Sequence, residues 1–313
     1  AHTMTNPGSP KDLSVEEFSS QISTEGVGVD IGPFRTHIHT TVPTLFEPLH
    51  CLYADFPFVD LDNVFSLHAS VTPIRAFPWL RQQRVRYTVD GFAPHEDMPI
   101  EQALPVLEWG INLVIAMRSH HLLMLHSAVL EKDGRAIVLP GTPGSGKSTL
   151  CAAMAHRGWR LLSDEFGLAP HGSASLVPVP RPIALKNESI EVFRDFAPEA
   201  FLGPRIPKTR KGTVAHVRPP AESIHRQSEH APARWVIFPR WEAGAALNWT
   251  PLRKPQSFMA LASNAFNYEL LGEAGFSTVR AIVDASDAYS LVYSEMSEAI
   301  AWIESLAEIA AND

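Results

Sequence analysis

Cysteine is scarce in this chain. Cys51 and Cys151 are the only two in 313 residues, far apart and in no paired metal-ligand spacing. That argues against a disulfide framework or a zinc site and fits a reducing cytoplasm. No uninterrupted apolar run reaches 18 residues, so no membrane span is expected. The start of the chain lacks the charged segment and apolar core of a secretory signal, and Ala1-His2-Thr3 before Met4 reads as a tag remnant. Positive charge is also short, with 26 Lys+Arg against 34 Asp+Glu and a net charge of −8. A broad nucleic-acid-binding surface is therefore not expected. The 14 histidines form no H-E-x-x-H or comparable ligand spacing. No serine sits in G-x-S-x-G, which sets hydrolase-triad chemistry aside. No internal repeat is present.

What is present is an ordinary globular composition, 45% hydrophobic and 19% charged. The length suits two domains or one large one and can bury a large core without staples. Twenty-six prolines stiffen several connections. Residues 1–12 are polar, with Gly8 and Pro10, and read as a disordered tail. Residues 13–118 read as a β-rich accessory domain with a linking helix. Its apolar stretches are Gly28–Ile31, Phe34–His39, Leu61–His68 and Arg84–Val89. The last alternates polar and apolar before an Asp90-Gly91 turn. Ile100, Leu104, Leu107, Ile111 and Val114 then mark one helical stripe.

Residues 119–313 read as a second, α/β domain. Leu122–Leu130 and Ala136–Leu139 are strand-like, joined by a Lys132-Asp133-Gly134 turn. Thr149–Arg157 is helical and ends at Gly158, and Arg160–Asp164 is a short strand. Further along, Lys186–Phe196 and Pro255–Ala274 are expected as helices, and residues 203–220 as a basic loop. Ala233–Phe238, Ala245–Trp249 and Ser290–Tyr293 are expected as strands, before a last helix that starts near Ser294 and buries Met296, Ile300, Ile303 and Ala307.

Gly141-Thr142-Pro143-Gly144-Ser145-Gly146-Lys147-Ser148 fits G-x-x-x-x-G-K-[ST]. Glycines let backbone N–H groups turn inward around phosphate oxygens, and the helix from Thr149 adds its positive end. Lys147 can meet the β and γ phosphates, and Ser148 can give its hydroxyl oxygen to Mg²⁺. A chance match somewhere in the chain is on the order of 1%. This pattern implies a nucleoside triphosphate, ATP or another, with Mg²⁺. Sixteen residues on, Asp164 and Glu165 close an apolar segment. A carboxylate there can bind Mg²⁺ or take a proton from an attacking hydroxyl, on the expectation that its strand is the nearest parallel neighbour of the one before the loop. His126, just ahead of the strand pair, can meet a phosphate or an acidic partner, or simply be buried and satisfied. His120 and His121 read as surface residues. Arg205, Lys208, Arg210 and Lys211 cluster in an acidic protein, either closing on phosphates or an acidic acceptor or lying solvated.

The segments His126–Leu130, Gly141–Ser148 and Arg157–Glu165 resemble the kinase domain of HPr kinase/phosphorylase. The compact spacing from loop to acidic pair, with Arg157-Gly158 between, carries most of the likeness. Arg181–Asn187, Lys211–His216 and Glu108–Asn112 look closer to the subgroup called HPr-kinase-related kinase A. The resemblance implies an α/β P-loop domain related to phosphoenolpyruvate carboxykinase, beside the β-rich N-terminal domain. It implies Asp164 as base, Lys147 on phosphate, Ser148 and Glu165 on metal, and His126 near the phosphate site. Gly141 to Thr149 would hold the nucleotide. Ile190–Phe196 lacks the glycines of the family's E-I-R-G-x-G-I signature, so a serine in a peptide or small protein other than HPr is the implied acceptor. A metabolite acceptor or a low-turnover nucleotide-binding regulator are the alternatives. The reading expects no nucleic-acid or membrane partner, and leaves a homo-oligomer open.

Overall fold

The protein is described by a computed structural model over residues 8–74, 83–142 and 144–312. It is a mixed α/β chain with several sheets. It divides into two compact units. The first comprises Ala1–Arg118, Ala184–Glu191 and Glu199–His225, the second Ser119–Ile183, Val192–Pro198 and Arg226–Asp313. Two segments expected in the second domain thus fold with the first.

The first unit opens with α1 (Val15–Thr24), whose start is fixed by reciprocal bonds. Glu17 N–H donates to Ser14 Oγ at 3.2 Å, and Ser14 N–H donates to the Glu17 carboxylate at 2.8 Å. Strands β1 (Val27–Ile31) and β2 (Phe34–Thr40), helix α2 (Phe46–Leu52), and strands β3 (Phe58–Val59), β4 (Leu67–Pro73), β5 (Arg84–Val89) and β6 (Met98–Pro99) follow. They form one sheet in the order β3-β1-β2-β4-β5-β6. Along β2, Phe34, Thr36, Ile38 and Thr40 are buried and the residues between are half-buried, the period-two pattern of a strand with one face on a core. Asp90 and Gly91, at φ 48° and 81°, make the tight turn after β5. Two expectations change. Residues 8–12 are packed rather than disordered: Pro10 is buried in a short 3₁₀ turn, Lys11 N–H donates to Ala54 O at 3.1 Å, and Phe58 N–H donates to Gly8 O at 2.8 Å. Residues 1–7 lie outside the described residues. Of the Leu61–His68 stretch only its last two residues enter a strand, and Val64 is 88% exposed.

Helix α3 (Ala103–Arg118) packs on β4 and β5. A side chain at Gly110 would run into the Tyr87 ring, so that glycine permits the close approach. By length and composition alone, the stretch Ile100–Arg118 reaches what a membrane span requires, which the apolar-run criterion missed, and 61% of that window is buried inside the fold.

The second unit begins with a hairpin of β7 (Leu122–Lys132) and β8 (Arg135–Pro140), turned at Asp133 and Gly134 with φ 52° and 77°. Then come α4 (Lys147–Ala155), β9 (Arg160–Ser163), β10 (Phe166–Pro170) and β11 (Ser175–Leu176). The chain next supplies β12 (Ile183–Lys186), α5 (Glu188–Phe196), β13 (Ile206–Thr209), β14 (Gly212–Val217) and α6 (Ala221–His225), with strand order β12-β14-β13. The expected basic loop at 203–220 is therefore largely a hairpin. Its turn is held by Thr209, whose hydroxyl donates to Gly212 O at 2.7 Å and accepts from Lys211 N–H at 3.0 Å.

The second unit is completed by β15 (Ala231–Trp241), β16 (Asn248–Leu252), α7 (Lys254–Asn264), α8 (Tyr268–Leu271), α9 (Glu273–Ala285), β17 (Asp287–Tyr293) and α10 (Met296–Asn312). The sheet order is β10-β7-β8-β15-β17-β16, with β9 on β7 and β11 on β15. Strands β8, β15 and β17 run parallel as neighbours. Leu125, Val129, Val138 and Val236 of the sheet pack with Leu261 of α7 and Val279, Ile282 and Val283 of α9. The strand expected at Ala245–Trp249 is shifted to β16. The single helix expected at 255–274 is broken into three pieces. At the first break, the buried Asn267 side chain accepts from Met124 N–H at 2.9 Å and donates to Leu122 O at 2.8 Å, tying the chain to β7. Gly272, at φ 55°, makes the second. Helix α10 buries Ile300, Ile303 and Ala307, while Met296 is half-buried.

Candidate functional site

The parallel arrangement of β8, β15 and β17 brings their carboxyl ends to one edge of the sheet, the edge where α/β sheets hold ligands. The 141–146 segment leaves β8 there and enters α4 at Lys147. Gly144 and Gly146 take φ 88° and 84°, a region costly for other residues. A Cβ on Gly146 would lie 2.7 Å from Tyr293 Oη and 3.0 Å from Trp241 Cβ, and one on Gly141 would lie 2.5 Å from Ser145 Oγ. Ser145 N–H donates to Thr142 O and Trp241 N–H donates to Ser145 O, each at 3.1 Å. Pro143 lies outside the described residues. The Ser145 hydroxyl is buried without a hydrogen-bond partner among the described residues.

Lys147 is buried, and its Nζ donates to Asp164 O at 2.7 Å. The loop lysine and the acidic strand end are thus adjacent. Ser148 and Thr149 are half-buried in the first turn of α4. Asp164 and Glu165, both half-buried, form the turn between β9 and β10, where Ser163 Oγ accepts from Phe166 N–H at 3.0 Å. Strand β9 is not a direct neighbour of β8. It pairs antiparallel with β7, which lies between them, so β9 and β8 run in the same direction one strand apart. The eleven-residue β7 also pairs with β10 along its first half, a non-local arrangement that spacing does not reveal.

His126 stands inside β7 rather than ahead of it, opposite Phe166 in register. Its carbonyl accepts from Gly141 N–H at 3.4 Å, its Nε2 is 3.8 Å from Glu165 Oε1, and its ring is 5.1 Å from that of Phe266. One residue therefore touches both the loop and the acidic pair. Cys151, fully buried in α4, has its thiol pushed well above the ordinary value by burial and by the nearby Asp164 charge, which removes it as a nucleophile.

Residues 141–149, His126, Asp164 and Glu165 all belong to the second unit. Arg205, Lys208, Arg210 and Lys211 belong to the first. All four are exposed. Arg205 pairs with Glu191, Lys208 O accepts from Gln102 Nε2 at 2.9 Å, and Lys211 Nζ sits 5.2 Å from the Trp109 ring centre. His120 and His121 are exposed. Trp241 and Tyr293 border the loop and had no signal in the sequence beyond closing apolar strands.

Among the described residues no group of three or more His, Cys, Asp or Glu could hold a metal ion. No protein-family model and no curated protein matches the chain.

Proposed function

We propose that the second unit is a P-loop kinase domain that binds a magnesium–nucleoside triphosphate at residues 141–149 and transfers the γ-phosphate to a serine hydroxyl of a peptide or small protein. The observation that carries this reading is the adjacency of Lys147 to the Asp164–Glu165 turn, with Nζ 2.7 Å from Asp164 O, at the end of a glycine loop entering a helix. The resemblance to HPr kinase/phosphorylase, and to its related kinase A subgroup, supports the same reading.

Lys147 turns from the Asp164 carbonyl to the β and γ phosphates, and the amino end of α4 adds its positive potential. Ser148 and Glu165 would hold Mg²⁺, which would neutralise charge on the phosphate oxygens. Asp164 accepts the proton of the serine hydroxyl as its oxygen bonds phosphorus, and the bridging oxygen leaves with the bonding electrons on the nucleoside diphosphate. His126, between loop and acid pair, orients Glu165. In this reading the first unit is an accessory domain, and the basic hairpin is its candidate for holding an acidic acceptor.

Two measurements test this. Calorimetry with Mg-ATP is expected to show binding to the wild type and none to Lys147→Ala or Ser148→Ala, both still folded by circular dichroism. Unchanged affinity in both variants removes the loop assignment. Incubation with γ-labelled ATP and serine peptides, read by mass spectrometry, is expected to give phosphoserine.

A further inference from the structure

We propose that Trp241 is the platform on which the nucleobase of the bound triphosphate stacks, an inference that rests on the phosphate-loop reading above. A nucleoside triphosphate is a linear ligand, with its γ-phosphate at one end and its base at the other. The loop at 141–146 has two unlike flanks. On the β7 and β9 side stand His126, Asp164 and Glu165, the groups suited to a metal, a phosphate and a proton. On the β15 and β17 side the nearest side chains are aromatic: Trp241 Cβ and Tyr293 Oη are the atoms a Cβ on Gly146 would meet. The acidic flank fixes the γ end, so the base extends over the carboxyl ends of β15 and β17.

Trp241 is built for that position. Its backbone N–H is bonded to Ser145 O at 3.1 Å, so it moves with the loop. Its indole Nε1 donates to Ser294 O at 3.0 Å. The adjoining turn is pinned by Glu242 N–H to Tyr293 O at 2.9 Å and Gly244 N–H to Ser294 Oγ at 3.0 Å. The residue is thus held by its backbone and its polar edge, yet it is 48% exposed. Among the described residues no ring or cation stacks on it. Trp249, exposed to a similar degree, already lies 5.5 Å from Trp302 with the two rings 24° apart. The charges adjoining Trp241, Arg240 and Glu242, pair with each other at 3.3 Å. A fixed, uncharged, unstacked indole beside a phosphate cradle suits a flat heteroaromatic base. Stacking of this kind tolerates different bases, so the ligand class is a nucleoside triphosphate without strong choice of base.

The test separates the base from the phosphates. Mg-ATP and Mg-tripolyphosphate are titrated calorimetrically into the wild type, Trp241→Ala and Trp241→Phe, with thermal melts confirming folding. Trp241→Ala is expected to bind Mg-ATP about 10- to 100-fold more weakly and to keep its affinity for Mg-tripolyphosphate. Trp241→Phe, which retains a stacking face, is expected to recover most of the loss. Wild-type affinity of Trp241→Ala for Mg-ATP overturns the proposal. Equal loss of both ligands also overturns it, making Trp241 a prop for the loop. A wild-type chain that binds neither ligand fails at the phosphate-loop reading itself, and the platform falls with it.

Discussion

Strand β9 meets charge at both ends, and the two ends are treated in opposite ways. At its start, Arg160 and Glu131 form an ion pair whose side chains are 4% and 3% exposed. Both groups make further bonds: Arg160 Nη1 also donates to Arg226 O at 2.8 Å and Glu229 O at 3.0 Å, and Glu131 Oε1 accepts from Gly134 N–H at 2.6 Å. Just past its other end, Glu165 is 42% exposed with the His126 ring nitrogen at 3.8 Å, and the Lys147 ammonium contacts the Asp164 carbonyl oxygen. Buried charge must be paired to be tolerated. Charge left half-open beside a glycine loop is available to a ligand. The first end fixes the turn of β7 and β8 to β9, while the second is the one to which the proposed function assigns the chemistry.

The largest effect that sharpens this contrast belongs to the open end. Asp164→Asn keeps size and removes the proposed base, so phosphoryl transfer to a serine peptide is expected to fall by roughly 10²–10⁴, with stability and Mg-ATP affinity changed much less. Glu165→Gln, if it removes the metal partner, is expected to be partly rescued by added Mg²⁺, and Asp164→Asn is not. An Asp164→Asn protein working at the wild-type rate strips Asp164 of the catalytic role and shifts attention to His126.

The closed end is expected to behave in reverse. Glu131→Gln leaves the buried Arg160 guanidinium without its counter-charge, a change that typically costs about 3–5 kcal/mol. Urea unfolding measures it, and a loss under about 1 kcal/mol would falsify the structural role. The Mg-ATP affinity of the folded fraction is expected to stay at the wild-type value, because none of the partners of Glu131 is a loop residue.

Where information was local in sequence, the elements were legible. Ala136–Leu139, the glycine loop and the alanine-rich helix follow within some twenty residues, and their backbone preferences are set by those residues alone. Pairing was not legible. Nothing in Arg160–Ser163 says that it lies on β7 rather than beside β8, because β7 divides its length between β10 and β9. The basic 203–220 segment misled through composition. Its Gly and Pro suggested a loop, yet Val214, Ala215, His216 and Val217 are a continuous buried run, as expected of a strand in the middle of its sheet. The helical periodicity of 255–274 hid a side-chain decision, Asn267 capping the edge of β7, that depends on a strand more than 140 residues away. The place of Trp241 beside the loop had no local signature, since its neighbours there come from the 141–146 loop and from the end of β17.

The smallest expected effect completes the contrast with a third kind of charge, paired but exposed. Arg205, in the β13–β14 region, pairs with Glu191, and the two side chains are 42% and 53% exposed. Water screens such a pair and already solvates both ions, so it contributes about 0–1 kcal/mol. Arg205→Ala is expected to shift the unfolding free energy by less than about 1 kcal/mol, well short of Glu131→Gln. Lys208→Ala and Arg210→Ala, with no ion pair among the described residues, are expected to cost no more. If this hairpin holds an acidic acceptor, the three variants together weaken capture of an acidic serine peptide and flatten its salt dependence, while Mg-ATP affinity in calorimetry stays fixed. Peptide capture that is unchanged in the triple variant at low salt assigns these cations to solubility alone, and the acceptor surface must then be sought elsewhere. A large stability loss from Arg205→Ala breaks the contrast at its root, because exposure would no longer distinguish charges that hold the fold from charges free to meet a partner.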